Sequence, residues 1–522
     1  MLPKRILYLT CGFSFILSVS IQAQHSTSLP RSIPEDEGVS SSAIINFLDA
    51  LDRSSNEFHS FMLIRHGKVI AETWWKPYRP DLRHTMYSTS KSFTSTAVGF
   101  AVTEGKLKLS DKVISFFQNE LPDTVSPALA ALTVRDVITM SVGQRPDPTT
   151  KLAGQGNWVK YFLSVPIIDT PGKKFLYNSV GTYMLSAIVQ KVTGQKVIDY
   201  LRPRLFEPLG IEGMDWEISP QGVNSGGWGL RLKTEDMAKF GLLYLQKGMW
   251  RGKQILSKEW IEEATSFKID QAPGTPQSRR DSSDWLQGYC YQFWRCRHNE
   301  FRADGAFGQY IIMLPEQDAV IAITSETGNM QDELNLIWTH LLPAFKNEKL
   351  ALDKKEEELL RKKLTAESLP VAAQSTDPAL VSGITGKKFK MENNDLGIQS
   401  VSFQFGQKGC TLEAKIGDSS YSILFDRGGW HMGETTAPGI EPALIGITRT
   451  RYIELGPAKI AASYSWKSEN DLELFIRYVE SPHSLKLLCH FENDTVSIQW
   501  ESSVKRLSHA KNDTVLKGSM EK

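Results

Sequence analysis

Tyr87-Ser88-Thr89-Ser90-Lys91-Ser92-Phe93 is the stretch around which the rest of the chain is organised. Ser88 and Lys91 stand in an S-x-x-K relation. In a helix starting at or near Ser88, residues three apart lie one above the other on one face. A hydroxyl and an amine then meet at a helix N-terminus, where the dipole and the free N–H groups favour negative charge. An unassisted serine is a weak nucleophile and needs a neighbour to take its proton. A lysine can do so only if burial or nearby positive charge lowers its pKa. The residues that follow supply burial: Phe93, Ala97, Val98, Phe100, Ala101 and Val102 are apolar nearly all round a helix, the pattern of a core helix. Glu104-Gly105-Lys106 reads as its C-terminal stop. The same spacing recurs at Ser502/Lys505, Ser508/Lys511 and Ser519/Lys522, in a polar C-terminal stretch that reads as solvated surface.

Two further elements bear on Ser88. Tyr177-Asn178-Ser179 lies at a loop-to-helix junction. Free tyrosine titrates near 10, but a buried phenol beside an amine can relay a proton. Tyr177 is thus a general-base candidate toward Ser88, with Lys91 as electrostatic support. The third element is Phe301-Arg302-Ala303-Asp304-Gly305-Ala306-Phe307-Gly308-Gln309. Small residues there let backbone approach a ligand closely, and a strand edge can aim an N–H at a developing oxyanion. Taken alone, it reads better as a Gly-rich turn.

In this order, the three elements resemble the serine β-lactamase and penicillin-binding-protein superfamily. The fit is best to its class C-like branch of esterases, peptidases and amide hydrolases, which includes the 6-aminohexanoate-dimer hydrolases. Ser88-Thr89-Ser90-Lys91 matches the S-x-x-K motif and Tyr177-Asn178-Ser179 the Y-x-N or Y-x-S motif. Ala303-Asp304-Gly305 falls where the family has K-T-G or H/W-x-G. The resemblance covers about residues 30 to 345, with support from Leu132 to Gly143, from Gly227-Trp228-Gly229-Leu230 with Asp236, and from Gly305 to Thr324.

It implies Ser88 as the acylated nucleophile, Lys91 and Tyr177 as its proton-transfer pair, and the backbone N–H groups of Ser88 and Ala306 as an oxyanion hole. Asn178, Ser179, Asp304 and Gly305 would meet the substrate. It implies no cofactor and no metal. Two departures stand out: Ser179 rather than Asn ends the tyrosine motif, and no lysine occupies the K-T-G position. An acidic Asp304 would repel a substrate carboxylate. The expected partner is therefore a small-molecule or peptide-like ester or amide. A β-lactamase, a D-aminoacyl peptidase, or a non-catalytic binding or sensor protein of the same fold are the alternatives. No G-x-S-x-G elbow is present, which argues against a Ser-His-Asp hydrolase.

Outward from these motifs, the chain of 522 residues is too long for one core and predicts two or three domains. Its formal net charge of +1 points to neither nucleic acid nor an anionic membrane as main partner. Lys4-Arg5, an apolar run from Ile6 to Ile21 and Ile21-Gln22-Ala23 read as a signal peptide over 1–23, cut after Ala23. The expected address is periplasmic or secreted, with no integral span after cleavage. An uncleaved anchor is the rival, although the run is short for about 30 Å of hydrocarbon.

Residues 24–346 predict an α+β hydrolase domain, an antiparallel sheet flanked by helices with a helical subdomain. Its expected elements are a helix over Ser41 to Leu51, a hairpin over Phe61 to Ala71, a Thr133-capped helix over Leu132 to Gly143, and helices over Tyr183 to Val192 and Asp236 to Gln246. Strands over Gly288 to Arg295, Gly308 to Leu314 and Ala319 to Ser325 follow, and a helix capped by Asn329. Residues 347–377 read as a solvated charged helix and linker. Alternation over 378–510 predicts an all-β accessory domain, and 511–522 a polar tail. Cys290 and Cys296, six apart in one extended strand, are too distant to bridge, whereas a Cys410–Cys489 disulfide is possible. No Cys/His spacing suits zinc.

Overall fold

The computed structural model describes residues 27–371, 376–437, 457–507 and 514–521, so the leader over 1–23 lies outside the described residues. Helix α1 (Ser41–Arg53) leads into strands β1 (Glu57–Arg65) and β2 (Lys68–Trp74). The later strands β3 (Trp294–Arg295), β4 (Phe301–Gly305), β5 (Gln309–Leu314) and β6 (Ala319–Glu326) complete an antiparallel sheet ordered β2-β1-β6-β5-β4-β3. The ends of the domain thus meet at the β1–β6 pairing.

Both faces of this sheet are covered, which is why its central strands are apolar almost throughout rather than alternating with polar residues. Met62, Ile64, Ile311, Met313, Val320 and Ala322 face the larger core, built with the helices inserted between β2 and β3. Their neighbours Phe61, Leu63, Ile312, Ile321 and Ile323 pack with Ile44, Phe47 and Leu48 of α1 and with the helix beginning at Met330.

The inserted part contains α2 (Ser90–Thr103), α3 (Ser179–Thr193) and α4 (Thr234–Leu245). The apolar surround of α2 is matched by burial of every residue from Ser90 to Ala101. Helix α4 lies close on the sheet: a Cβ at Gly241 would sit 2.6 Å from Val320 and 2.8 Å from Ile311. Gly194 ends α3 in a left-handed conformation at φ +71°, the cap that only glycine adopts without strain. A capping box formed by Thr133 and Asp136 starts a short helix, Val134–Ile138, so the stretch to Gly143 continues as loop.

Gly288 to Arg295 is not one strand. Gln292 at φ +63° turns the chain, Cys290 N–H bonds the Phe293 carbonyl at 2.9 Å, and only Trp294–Arg295 joins the sheet. Tyr289 bridges to Trp294 instead of extending toward it.

The charged segment forms α5 (Lys354–Ala366). It is not a free connector. Leu360 is buried in the α1-side core, Lys363 pairs with Asp49 and Asp52, and Thr73 donates to the Leu364 carbonyl at 2.7 Å.

The C-terminal domain is all-β, as its alternation predicts. Strands β7 (Lys388–Met391), β8 (Ile398–Gly406), β9 (Gly409–Ile416), β10 (Ser419–Arg427), β11 (His431–Thr435), β12 (Ala458–Trp466), β13 (Asp471–Tyr478), β14 (Ser484–Glu492), β15 (Thr495–Ser502) and β16 (Thr514–Met520) form one sheet. It closes on itself where β10 meets β12 at Asp426–Ser463 and Arg427–Tyr464, with β11 alongside β12. Aromatic rings fill the interior, among them Phe389, Phe403, Phe405, Trp466 and Phe491. Thr514–Met520 is therefore not a polar tail. It seals the barrel between β7 and β15, and its polar residues face outward from a strand that buries Leu516. Cys410 and Cys489 are both buried free thiols on strands that do not neighbour each other, so no bridge joins them. Among the described residues, no helix is long and apolar enough to cross a membrane.

Candidate active site

Ser88 lies on a 3-10 turn, Tyr87–Thr89, immediately before α2 begins at Ser90. Tyr87 enters this turn at φ +47°, a conformation that costs a bulky non-glycine residue about 1–3 kcal/mol and persists only where the surroundings enforce it. They do so here: Met86 N–H bonds the Leu230 carbonyl at 2.8 Å, and Thr89 Oγ1 donates to the Gln309 carbonyl at 2.9 Å. Ser88 remains partly exposed between buried neighbours.

Lys91 is 1% exposed, and its Nζ has three oxygen partners: Ser88 Oγ at 3.0 Å, Ser179 Oγ at 3.0 Å and the Gly227 carbonyl at 2.6 Å. Burial pushes its pKa from 10.5 down to about 7, against the opposing pull of Asp147 and Asp304. A neutral amine has two N–H groups and one lone pair. The Gly227 carbonyl can only accept, and Ser179 Oγ can take the second N–H. The lone pair is then left facing the Ser88 hydroxyl. Gly227 has to be glycine at this distance, since a Cβ there would meet the Ser179 carbonyl at 2.9 Å and Lys91 Nζ at 3.4 Å.

Tyr177 comes to the same place from the loop before α3. Its ring centroid is 4.8 Å from Lys91 Nζ, and the ring stacks on Trp294 at 5.7 Å. Burial raises the phenol above its usual value, the negative charge of Asp304 adds to this, and the hydrogen bond with Ser88 works the other way. The phenol is accordingly protonated near neutrality. The amine, not the phenol, has the depressed pKa.

Asn178, expected to meet the substrate, is turned inward. Its Oδ1 caps α3 by accepting from Gly181 N–H at 2.9 Å, and its Nδ2 donates to Gln144 Oε1 at 2.9 Å. The side chain is 1% exposed, and the helix N-terminus takes the acceptor that the sequence offered to a substrate. Ser179 is the first helical residue and holds Lys91.

Asp304 is likewise not an open acid. It is buried beside Arg302, whose Nε donates to Asp304 Oδ2 at 2.9 Å. Burial raises its pKa, with Arg302, Lys91 and the hydrogen bond from Trp294 opposing. Arg302 is itself 0% exposed and lies over the rings of Trp285 and Trp294. Strand alternation accounts for this arrangement: Arg302 and Asp304 share one face of β4, and Ala303 turns into the larger core.

Gly305 brings β4 against the Ser88 turn. A Cβ on it would lie 2.2 Å from the Met86 carbonyl and 3.1 Å from Ser88 N. Ala306, the next residue, is partly exposed, and Phe307 follows at φ +66°. Sequence reading missed the Gly227 carbonyl as a lysine partner, as well as Gln144, Arg302, Trp294 and Tyr289. Gly227 stood in a stretch already singled out. Arg302 stood in the third motif, and Gln144, Trp294 and Tyr289 carry no spacing signal toward Ser88.

The beta-lactamase family profile matches residues 59–342, and the chain belongs to that family. Its members define the class: serine hydrolases of the β-lactamase fold. Among curated relatives, the chain is 26% identical over 284 residues to the 6-aminohexanoate-dimer hydrolase of Paenarthrobacter ureafaciens, spanning 50% of this chain and 71% of that one. It is 21% identical over 311 residues to a beta-lactamase of Escherichia coli strain K12, spanning 50% of this chain and 81% of that one. A solved structure from Bacillus anthracis, a candidate 6-aminohexanoate-dimer hydrolase, superposes with a TM-score of 0.50 at 20% identity, covering 59% of this chain and 86% of that one. The last likeness concerns the fold alone.

Proposed function

We propose that this protein is a serine hydrolase that cleaves an ester or amide bond through an acyl-enzyme on Ser88. One observation carries the reading: a buried Lys91 with a pKa of about 7 sits 3.0 Å from Ser88 Oγ. A base poised near the working pH can both take and return a proton. The Lys91 lone pair removes the Ser88 proton as Oγ attacks the carbonyl carbon. The negative oxygen that forms is received by the N–H groups of Ser88 and Ala306, each donor typically worth about 3–4 kcal/mol. Tyr177, still protonated, passes its proton to the leaving oxygen or nitrogen and is refilled from the Lys91 ammonium. Water then enters, the same pair takes its proton, and the Ser88 ester is hydrolysed.

The substrate preference follows from the third motif. The position where the family has a lysine is turned into the core as Ala303, and the Arg302 charge is buried against Asp304. This arrangement presents no cation to a substrate carboxylate, which favours a neutral ester or amide over a β-lactam. The basic and apolar N-terminal sequence supports export to the periplasm or beyond.

A fluorophosphonate probe tests the reading. Wild type should be labelled and Ser88→Ala should not; absence of label from both would favour a non-catalytic binding protein. A p-nitrophenyl ester should be turned over faster than nitrocefin, and the reverse order would make the protein a β-lactamase.

A further inference from the structure

The barrel touches the catalytic domain directly behind Ser88. The turn between β13 and β14 carries Glu480, Ser481 and His483. The Glu480 carbonyl accepts Thr85 N–H at 2.9 Å and Thr85 Oγ1 at 3.1 Å, and the Ser481 carbonyl accepts the Tyr78 hydroxyl at 3.0 Å. His483 is 1% exposed, and its Nδ1 lies 2.7 Å from Glu326 Oε1 at the end of β6. A carboxylate only accepts, so Nδ1 carries the proton. Ser503 Oγ donates to the same carboxylate oxygen at 2.5 Å, which fixes it from the barrel side. The other ring nitrogen, Nε2, hydrogen-bonds the Tyr87 hydroxyl.

The same imidazole packs edge-on to Phe307 at 4.7 Å and to Tyr87 at 5.8 Å, and those two rings meet edge-to-face at 5.3 Å. Tyr87 immediately precedes Ser88, and Phe307 immediately follows Ala306. Both are bulky residues at positive φ, +47° and +66°. Such conformations persist only where the surroundings enforce them, and the held rings add to the backbone bonds already described. One barrel side chain therefore grips, from behind, the neighbours of both N–H groups that would receive the oxyanion. The grip comes from outside the family match at 59–342.

We propose that His483 is a positioning residue for the reaction: through Tyr87 and Phe307 it holds the Ser88 and Ala306 N–H groups in oxyanion-binding register, with Glu326 orienting the ring. This makes the barrel a working part of the active site. The proposal rests on the acyl-enzyme reading above.

The test measures kcat and KM for a p-nitrophenyl ester, per Ser88 site titrated with a fluorophosphonate, in Ser88→Ala, His483→Ala, His483→Gln, Tyr87→Phe and the Tyr87→Phe/His483→Ala double variant. Displacing reacting groups by about 1 Å costs on the order of 10²-fold. His483→Ala should accordingly lose about 10- to 100-fold in kcat, with KM within about threefold. His483→Gln should recover part of the loss, because its amide can donate to Glu326 and accept from Tyr87. Tyr87→Phe should lose kcat in the same direction, and the double variant should be no worse than His483→Ala alone. A purely structural role would instead lower the titrated fraction and leave kcat per site unchanged. That result, or fully additive losses in the double variant, overturns the proposal. If His483→Ala does not fold, Tyr87→Phe, which deletes one oxygen, decides alone: unchanged kcat per site counts against the clamp. Turnover retained in Ser88→Ala would sink the underlying reading itself. A dead Ser88→Ala beside an unimpaired His483→Ala removes only the clamp.

Discussion

Replacing Lys91 with methionine should kill turnover and yet stabilise the fold at neutral pH. Burial lowers the Lys91 pKa from 10.5 to about 7. Below the folded value, the chain carries a buried ammonium whose charge is favoured more in the unfolded state. At pH 7 this amounts to a penalty of about 4 kcal/mol. Methionine removes the penalty but leaves the Gly227 carbonyl without its donor, which returns about 1–3 kcal/mol. Lys91→Met should therefore melt above wild type at pH 7.

The sign with pH follows from the protons bound. Between about 7 and 10.5, the unfolded chain holds the Lys91 proton and the folded chain does not, so wild-type stability rises with pH across that window. The methionine variant lacks this slope, and the gap between the two should close as pH approaches 10. Catalysis depends on the same equilibrium. At pH 5 only about 1% of a base with a pKa of about 7 is neutral, so kcat/KM should fall about 100-fold below its plateau above pH 8. The assay is ester hydrolysis and fluorophosphonate labelling from pH 5 to 9, with circular dichroism and thermal melts on both proteins. A kcat/KM that stays level down to pH 5 in folded protein, with labelling equally flat, would refute a Lys91 base.

Gly305→Ala should lose on the order of 10² in kcat with little change in KM, since its Cβ would sit 2.2 Å from the Met86 carbonyl and push β4 away from the Ser88 turn. Asn178→Ala should lower the melting temperature through a lost cap worth about 1 kcal/mol while Ser88 still labels, because its side chain serves α3 and Gln144. Ending the chain after residue 513 removes the strand between β7 and β15 and exposes two edges, so the protein should aggregate or bind anilinonaphthalene sulfonate. Cys410 and Cys489 should titrate as free thiols in denaturant without reductant; protection of either would indicate a bridge.

Much of the site was legible because it is local. Ser88 and Lys91 lie within one turn of chain, and the apolar residues after them announce the burial that depresses an amine pKa. Local signals also located Thr133 and Asn329 as caps and Gly194 as a helix end. Readings failed where a side chain had two uses. Asn178 could bind a substrate or cap a helix, and a helix beginning at Ser179 needs an acceptor at that position. Asp304 looked like an exposed acid because its pairing with Arg302, two residues earlier, follows only once Phe301–Gly305 is a strand buried on both faces. Thr514–Met520 looked like a tail because an edge-filling strand with one buried leucine carries little hydrophobic signal until its two neighbours are in place.

From the order of residues alone came the candidate hydroxyl, its amine, the phenol, and the expectation of a mixed domain followed by an all-β one. These depend on periodicity, turn chemistry and short spacings, which local physics governs. Tertiary structure decided which group has its pKa lowered and which raised, because desolvation depends on what surrounds an atom rather than on what precedes it. It also decided that Gly227 shares Lys91 with Ser88, and that a histidine almost four hundred residues away bonds the side chain next to Ser88. Those contacts join distant segments, and only the closed sheet and the docked barrel bring them within hydrogen-bonding range.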